Sequence, residues 1–220
     1  MADSYEMGVK WENQPVTFKS TYFLSNVKDE IGFDPFRPNP ANNFDGVGLN
    51  SNFGKTQRLG VENFLEIRWS EAFRTRAGYT FTRAQFTKDS LTTTSFKTGD
   101  NLPMVPRDRY TLDCLFIPLE NWDIHLDMLA LSKQVLTNDV TNERNGRRLP
   151  AYTVFNLRSS YKWKSWKLSL EVKNLFDEAY ESGGSLGAAP GPFVTDPTTT
   201  DNFYVPAPGR SFGTVVSYSF

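Results

Sequence analysis

One cysteine, Cys114, and one histidine, His125, stand in 220 residues. The single cysteine rules out an intrachain disulfide and a multi-cysteine zinc site, and it reads as a small apolar wall residue. Charge of one sign is also scarce, since 24 Lys and Arg meet 25 Asp and Glu. No strong positive field is available, so a nucleic-acid partner is not expected. No run approaches the roughly 18 apolar residues of a transmembrane helix, and mean hydropathy lies below zero. Such an average does not exclude a barrel, in which only alternate residues face lipid. A basic and then apolar leader is also missing before Tyr5, so the N-terminus reads as truncated and the signal peptide as absent.

What the chain does have is aromatic residues, 15% of the total. It also has nine segments in which apolar and polar residues alternate with a period of two. Tyr5, Met7, Val9 and Trp11 open the series, followed by a less regular second segment from Val16 to about Ile31. Three more run at about 56–69, 74–87 and 104–117. The sixth carries Ile124, Leu126 and Met128, and the seventh Phe155, Leu157 and Tyr161. The eighth carries Leu168, Leu170 and Val172, and the last Phe212, Val216 and Phe220. The expected fold is all-β, an antiparallel transmembrane barrel wall of about nine strands.

Alternation also suits a soluble sandwich, so two further regularities decide. Short connections, near Asn13, 70–73, 118–121 and 164–165, alternate with long ones near 32–55, 88–103, 137–149 and 179–207. Outer-membrane barrels pair short periplasmic turns with long extracellular loops in this way. In addition, Trp11, Trp69, Trp122, Trp163 and Trp166 all fall beside short turns. An indole with an apolar ring and a polar N–H suits a membrane interface, and these five are expected to form an aromatic girdle.

Chemistry-bearing constellations are weak. Asp123, His125 and Asp127 share one face of a strand, but about 6.6 Å separates successive side chains, too wide for one metal ion. Neither a metal nor a cofactor is expected. Glu62 and Glu66 could serve a glycosidase, yet a polar lumen wall supplies the same pair. With a single histidine, a serine or cysteine triad could draw only on His125, so no enzymatic activity is expected. Gly183, Gly184, Gly187 and Gly191 read as flexible loop residues. Ligand contacts are expected near the long loops, where Arg107, Arg109, Arg147 and Arg148 could meet an anionic chelate or lipopolysaccharide phosphates. Tyr152, Tyr180, Phe203 and Tyr204 add aromatic surface there. An interfacial belt explains all eight equally well.

The segments VKNLFDEAY (Val172 to Tyr180), PAPGRSF (Pro206 to Phe212) and VVSYSF (Val215 to Phe220) resemble, in that order, the C-terminal barrel of TonB-dependent outer-membrane receptors. YEMGVKWE, KTQRLGVE, GYTFTRAQF and LPMVPRDR are weaker echoes. Asp177 is expected to cap backbone N–H groups, and Arg210 to pair with Asp177 or Glu178. The resemblance implies a bacterial outer-membrane location and uptake of a scarce solute such as a ferric siderophore or other metal chelate. It implies that residues 1–220 are part of a 22-stranded barrel whose remaining strands and plug lie elsewhere. TonB would be engaged through the absent N-terminal part. Tyr218 and Phe220 would be read by the outer-membrane assembly machinery. Outer-membrane lipid and lipopolysaccharide are the expected surroundings. A passive pore or structural barrel, and a soluble carbohydrate-binding or hydrolytic β-domain, are the alternatives.

Overall fold

In the computed structural model, residues 1–34, 49–89, 96–139, 142, 148–188 and 200–220 are described. They contain thirteen strands and no helix. These are β1 (Ala2–Asn13), β2 (Val16–Lys28), β3 (Ile31–Asp34), β4 (Leu49–Asn52), β5 (Lys55–Arg68), β6 (Phe73–Phe86) and β7 (Asp108–Leu119). There follow β8 (Trp122–Leu131), β9 (Tyr152–Trp163), β10 (Trp166–Lys173), β11 (Glu181–Ala188), β12 (Thr200–Pro206) and β13 (Ser211–Tyr218).

Nine of them form one antiparallel sheet in the order β1-β2-β5-β6-β7-β8-β9-β10-β13. These are the nine segments that period-two alternation marks. Each is paired with its nearest long neighbour in the chain, so the sheet is an uninterrupted meander. Its two edges, β1 and β13, pair on one side only, and every residue of both is exposed. The sheet is therefore barrel wall that does not close within this chain. In hydrocarbon each edge would leave on the order of ten unpaired backbone groups at several kcal/mol each, so an open wall is not stable alone in lipid.

Four strands were not expected. β3 pairs with β4, and β11 with β12, as separate hairpins inside the long connections near 32–55 and 179–207. Gly183, Gly184 and Gly187 are thus strand residues, not flexible loop. A Cβ on Gly184 would lie 2.7 Å from a Leu136 methyl and 3.1 Å from the Phe203 carbonyl, so the bare backbone is needed for close approach. Gly191 lies outside the described residues. The fifth segment also begins later than expected, at Asp108 instead of Met104. Met104 has φ of 58°, and Pro106 has no N–H to give a ladder.

The short turns all close at one end of the sheet. Asn13 faces Val16 across two residues, and Trp163 faces Trp166 across Lys164-Ser165, where Lys164 takes a positive φ of 54°. β7 turns into β8 through Glu120-Asn121 after a bulge between Phe116 and Leu119. Pro118 falls inside that bulge, where its missing N–H breaks no ladder bond.

Candidate functional site: two faces and a loop end

Residues directly opposite in an antiparallel ladder share a face, so the register sorts every side chain. One row runs Trp11, Phe18, Leu65, Ala77, Leu112, Met128 and Phe155 across seven strands. The next row continues through Leu126, Leu157, Val172 and Phe212 to the far edge. The apolar stripes of all nine strands thus fuse into a single outward face. Its only charged strand residues are Asp3, Lys28, Lys55, Arg83 and Asp108, all at the long-loop ends of their strands.

All five tryptophans lie at the short-turn end. Two of them satisfy their indole N–H within the sheet, Trp69 donating to Thr75 Oγ1 at 2.9 Å and Trp122 to Ser159 Oγ at 2.8 Å. Their rings can then lie in an apolar medium without an orphaned donor.

The opposite face is polar and ion-paired. Glu66, only 8% exposed, accepts from Arg68 Nε at 3.0 Å and from Arg76 Nε at 2.7 Å. Arg76 reaches Asp113 on β7 at 4.0 Å, and His125 lies between Asp113 at 4.0 Å and Asp123 at 3.5 Å. Asp127 instead accepts from Asn156 at 2.7 Å. These side chains form an ion ladder that crosses strands, and Glu66 is held by two arginines instead of facing a second carboxylate. Among the described residues no group of three or more His, Cys, Asp or Glu is arranged to hold a metal.

At the long-loop end the expected ligand residues separate into two groups. Arg109, Leu131 and Tyr152 occupy one lateral row on the polar face, and Tyr152 packs on Tyr180 with ring centroids 4.4 Å apart. Arg107 and Arg148 belong elsewhere, lining a groove of 720 Å³ together with Leu59, Phe81 and Arg83 of the outward face. Tyr204 is half-buried beside Gly184, whereas Phe203 is exposed beside Gly187. Arg147 lies outside the described residues. Arg83 and Lys133 also line the groove and were missed. The signal for Arg83 was present, as it ends the outward run of Tyr79 and Phe81 with a cation.

The loops are fastened to one another. Thr137 N–H donates to Gly184 and Leu186 N–H to Thr137, so the β11–β12 hairpin lies on the segment after β8. Asn101 and Asn142 exchange two bonds of 3.0 Å, tying that segment to the connection before β7.

The motif after β10 is built around two residues at positive φ, Asn174 at 52° and Asp177 at 57°. Asn and Asp tolerate this region because their short polar side chains bond locally. Asn174 is buried; its Nδ2 donates to the Glu178 carbonyl and its Oδ1 accepts from the Glu178 N–H, both at 2.9 Å. Asp177 Oδ1 accepts from the Arg210 N–H at 2.8 Å, and the Arg210 guanidinium lies 4.0 Å from Oδ2. The expected Asp177 to Arg210 pairing is present. On β13, Tyr218 packs on Trp166 at 4.8 Å and on Phe220 at 5.1 Å.

An unclosed antiparallel wall with one continuous apolar face, one ion-paired face, short turns at one end and long loops at the other defines a transmembrane β-barrel of the outer-membrane type. Residues 1–175 match the model of the TonB dependent receptor-like β-barrel family, and the chain belongs to that family, whose barrels lie in the outer membrane of Gram-negative bacteria. Solved structures agree in fold. The ferric yersiniabactin uptake receptor FyuA of Yersinia pestis superposes with a TM-score of 0.74 at 21% identity over 100% of this chain and 30% of its own. The siderophore receptor PiuA of Acinetobacter baumannii gives 0.68 at 19%, over 98% of this chain and 28% of its own. The copper transporter OprC gives 0.72 at 18%, over 100% and 31%. The chain therefore spans about 30% of the receptors it matches.

Proposed function

We propose that residues 1–220 form the C-terminal part of the barrel of a TonB-dependent receptor that imports a scarce solute, a ferric siderophore or other metal chelate. The observation that carries this reading is the nine-stranded open wall with one lipid-type and one lumen-type face. The family match supports it, and so do neighbours that handle ferric yersiniabactin, another siderophore and copper. In this reading the edges at β1 and β13 pair with the remaining strands of the same receptor. The plug sits against the ion-paired face, and energy reaches it through TonB. The solute meets Arg109, Tyr152 and Tyr180 on the polar face, with Phe203 and Tyr204 contributing from the hairpin above. The five tryptophans anchor the periplasmic interface, while Tyr218 and Phe220 present the C-terminal strand to the assembly machinery.

The test is uptake by the complete receptor in cells that lack their other outer-membrane iron and copper receptors, with TonB present or deleted. Radiolabelled ferric hydroxamate, catecholate, citrate and phenolate chelates, and copper, are supplied one at a time. The reading expects TonB-dependent uptake of at least one. Entry that is unaffected by TonB deletion would make the barrel a passive pore.

A further inference from the structure

We propose that the four long connections form one folded extracellular unit with an interior of its own, fixed in shape before any solute arrives, so that this part of the rim is a rigid jaw. Among the described residues ten apolar side chains are buried, and all but Val154 lie in these connections or at the end of β6 that enters one. The wall has no interior of this kind, because its two faces meet lipid and lumen. Apolar burial against protein is concentrated where the chain leaves the membrane and meets water, which is where it stabilises a fold.

The links run through all four connections without a break. Phe53, between β2 and β5, sets its ring edge-on to Phe86 at 5.4 Å and to Phe96 at 5.3 Å, and those two rings stack at 4.1 Å. Phe96 belongs to the connection between β6 and β7. That connection is joined to the next, since the Met104 N–H donates to the Val135 carbonyl at 2.9 Å. Between β8 and β9, Gln134 and Leu149 exchange two backbone bonds, of 3.0 and 2.9 Å. Leu136, 1% exposed, then seats against the bare backbone of Gly184 in β11, and Thr137 bonds both Gly184 and Leu186. Loops that open independently have few buried apolar contacts, whereas each of these four contributes at least one buried apolar side chain.

The unit also carries two of the proposed solute contacts. Tyr152 follows the fully buried Leu149 by three residues. Tyr180 directly precedes β11, and its carbonyl accepts from the Ala207 N–H at 2.9 Å, closing the base of the hairpin. A rim ordered in advance adds no ordering cost to binding. Leu136 and Gly184 are thus positioning residues that hold the Tyr152 and Tyr180 pair without touching solute. The role of that pair rests on the proposed function, whereas the fixed shape requires no solute.

The complete receptor, reconstituted in lipid without any chelate, is followed by hydrogen exchange read by mass spectrometry. In Leu136→Ala, amides of all four connections, including those of Phe53 and Phe86, should exchange at least tenfold faster, while the wall strands β7 to β10 keep their rates. Leu136→Met, which nearly conserves volume, should restore most of the protection. Acceleration confined to the last two connections, or absent altogether, would overturn the proposal and make the loops separate bodies. A second measurement leaves the interior intact: spin labels at the exposed Thr87 and Ser182, in Cys114→Ser, should give one narrow separation without chelate. A broad or multiple separation would also overturn the proposal, and this measurement decides alone if Leu136→Ala does not fold. Neither measurement needs a transported solute, so the fixed jaw can fail while the uptake reading stands, and the reverse.

Discussion

Asp177 and Arg210, 33 residues apart, are joined twice: the Arg210 N–H donates to the Asp177 carboxylate at 2.8 Å, and the guanidinium lies 4.0 Å from its other oxygen. The backbone bond is the stronger element, because both side chains are about half exposed and a screened surface pair contributes little. Asp177→Asn keeps both the acceptor and the tolerance for positive φ, and should be nearly neutral. Asp177→Ala loses both and should destabilise the complete receptor by about 1–3 kcal/mol. The midpoint of urea unfolding in detergent checks the difference.

Phe23 lies directly opposite Gly60, and a Cβ on Gly60 would sit 2.0 Å from the Phe81 carbonyl and 2.7 Å from the Phe23 ring. Gly60→Ala must push a strand apart or evict the ring, which costs about 1–3 kcal/mol. Phe23→Ala in the Gly60→Ala background relieves only the ring clash, so unfolding midpoints of the double variant should stay below those of Phe23→Ala alone.

Glu30 lies outside the sheet strands and accepts hydrogen bonds from Thr56 and from Arg58, the latter at 2.6 Å. Burial alone would push its carboxyl up, but the Arg58 and Thr56 bonds and the Arg58 charge together outweigh burial and hold it below the usual carboxylate range. A depressed value stabilises the folded state above the ordinary glutamate pKa of about 4.3, and that contribution is lost as pH falls through the lowered value. The Phe53 N–H bonds the Glu30 carbonyl at 2.7 Å and is a local reporter. Its exchange protection, corrected for intrinsic rate, should fall on acidification in the wild type. In Glu30→Gln it should be lower at neutral pH and show no such fall.

Arg109 and Tyr152 share a row on the polar face, whereas Arg107 lines the outward groove. Loss of one charge-assisted hydrogen bond to an anionic chelate costs about 1.5–3 kcal/mol. Arg109→Gln should therefore weaken chelate binding to the complete receptor by about tenfold or more, with Arg107→Gln unchanged. Tyr152→Ala should act in the same direction as Arg109→Gln. Titration of the purified complete receptor with whichever chelate the proposed uptake test identifies distinguishes the two arginines.

The nine wall strands were legible because a face held against lipid forces apolar residues into every second position, from Tyr5 to Tyr218. The β3–β4 and β11–β12 hairpins carry no such demand. β3 and β4 have four residues each, and β11 is rich in glycine, so neither pattern nor propensity marks them. The ligand candidates were found as residue types near loops, but sequence spacing does not reveal which face a residue takes where regular alternation ends. Arg107 and Arg109 differ by two positions, yet Arg107 precedes the first residue of β7 and lies by the outward groove, while Arg109 is within the ladder on the polar side. Lys133, just past the end of β8, gave no signal at all.

Whether the fused apolar face touches acyl chains is measured most directly by spin labels placed one at a time in the complete receptor with Cys114→Ser, reconstituted in lipid. Labels at Leu112, Leu126, Leu157 and Leu170 are compared with labels at Thr111, Asp127, Arg158 and Glu171 for collision with oxygen and with a water-soluble nickel chelate. High oxygen and low nickel access at the four leucines, alternating with the reverse preference or with shielding at the other four, is the predicted result. Leucine sites shielded from both reagents would mean a face packed against protein, and would contradict a membrane wall.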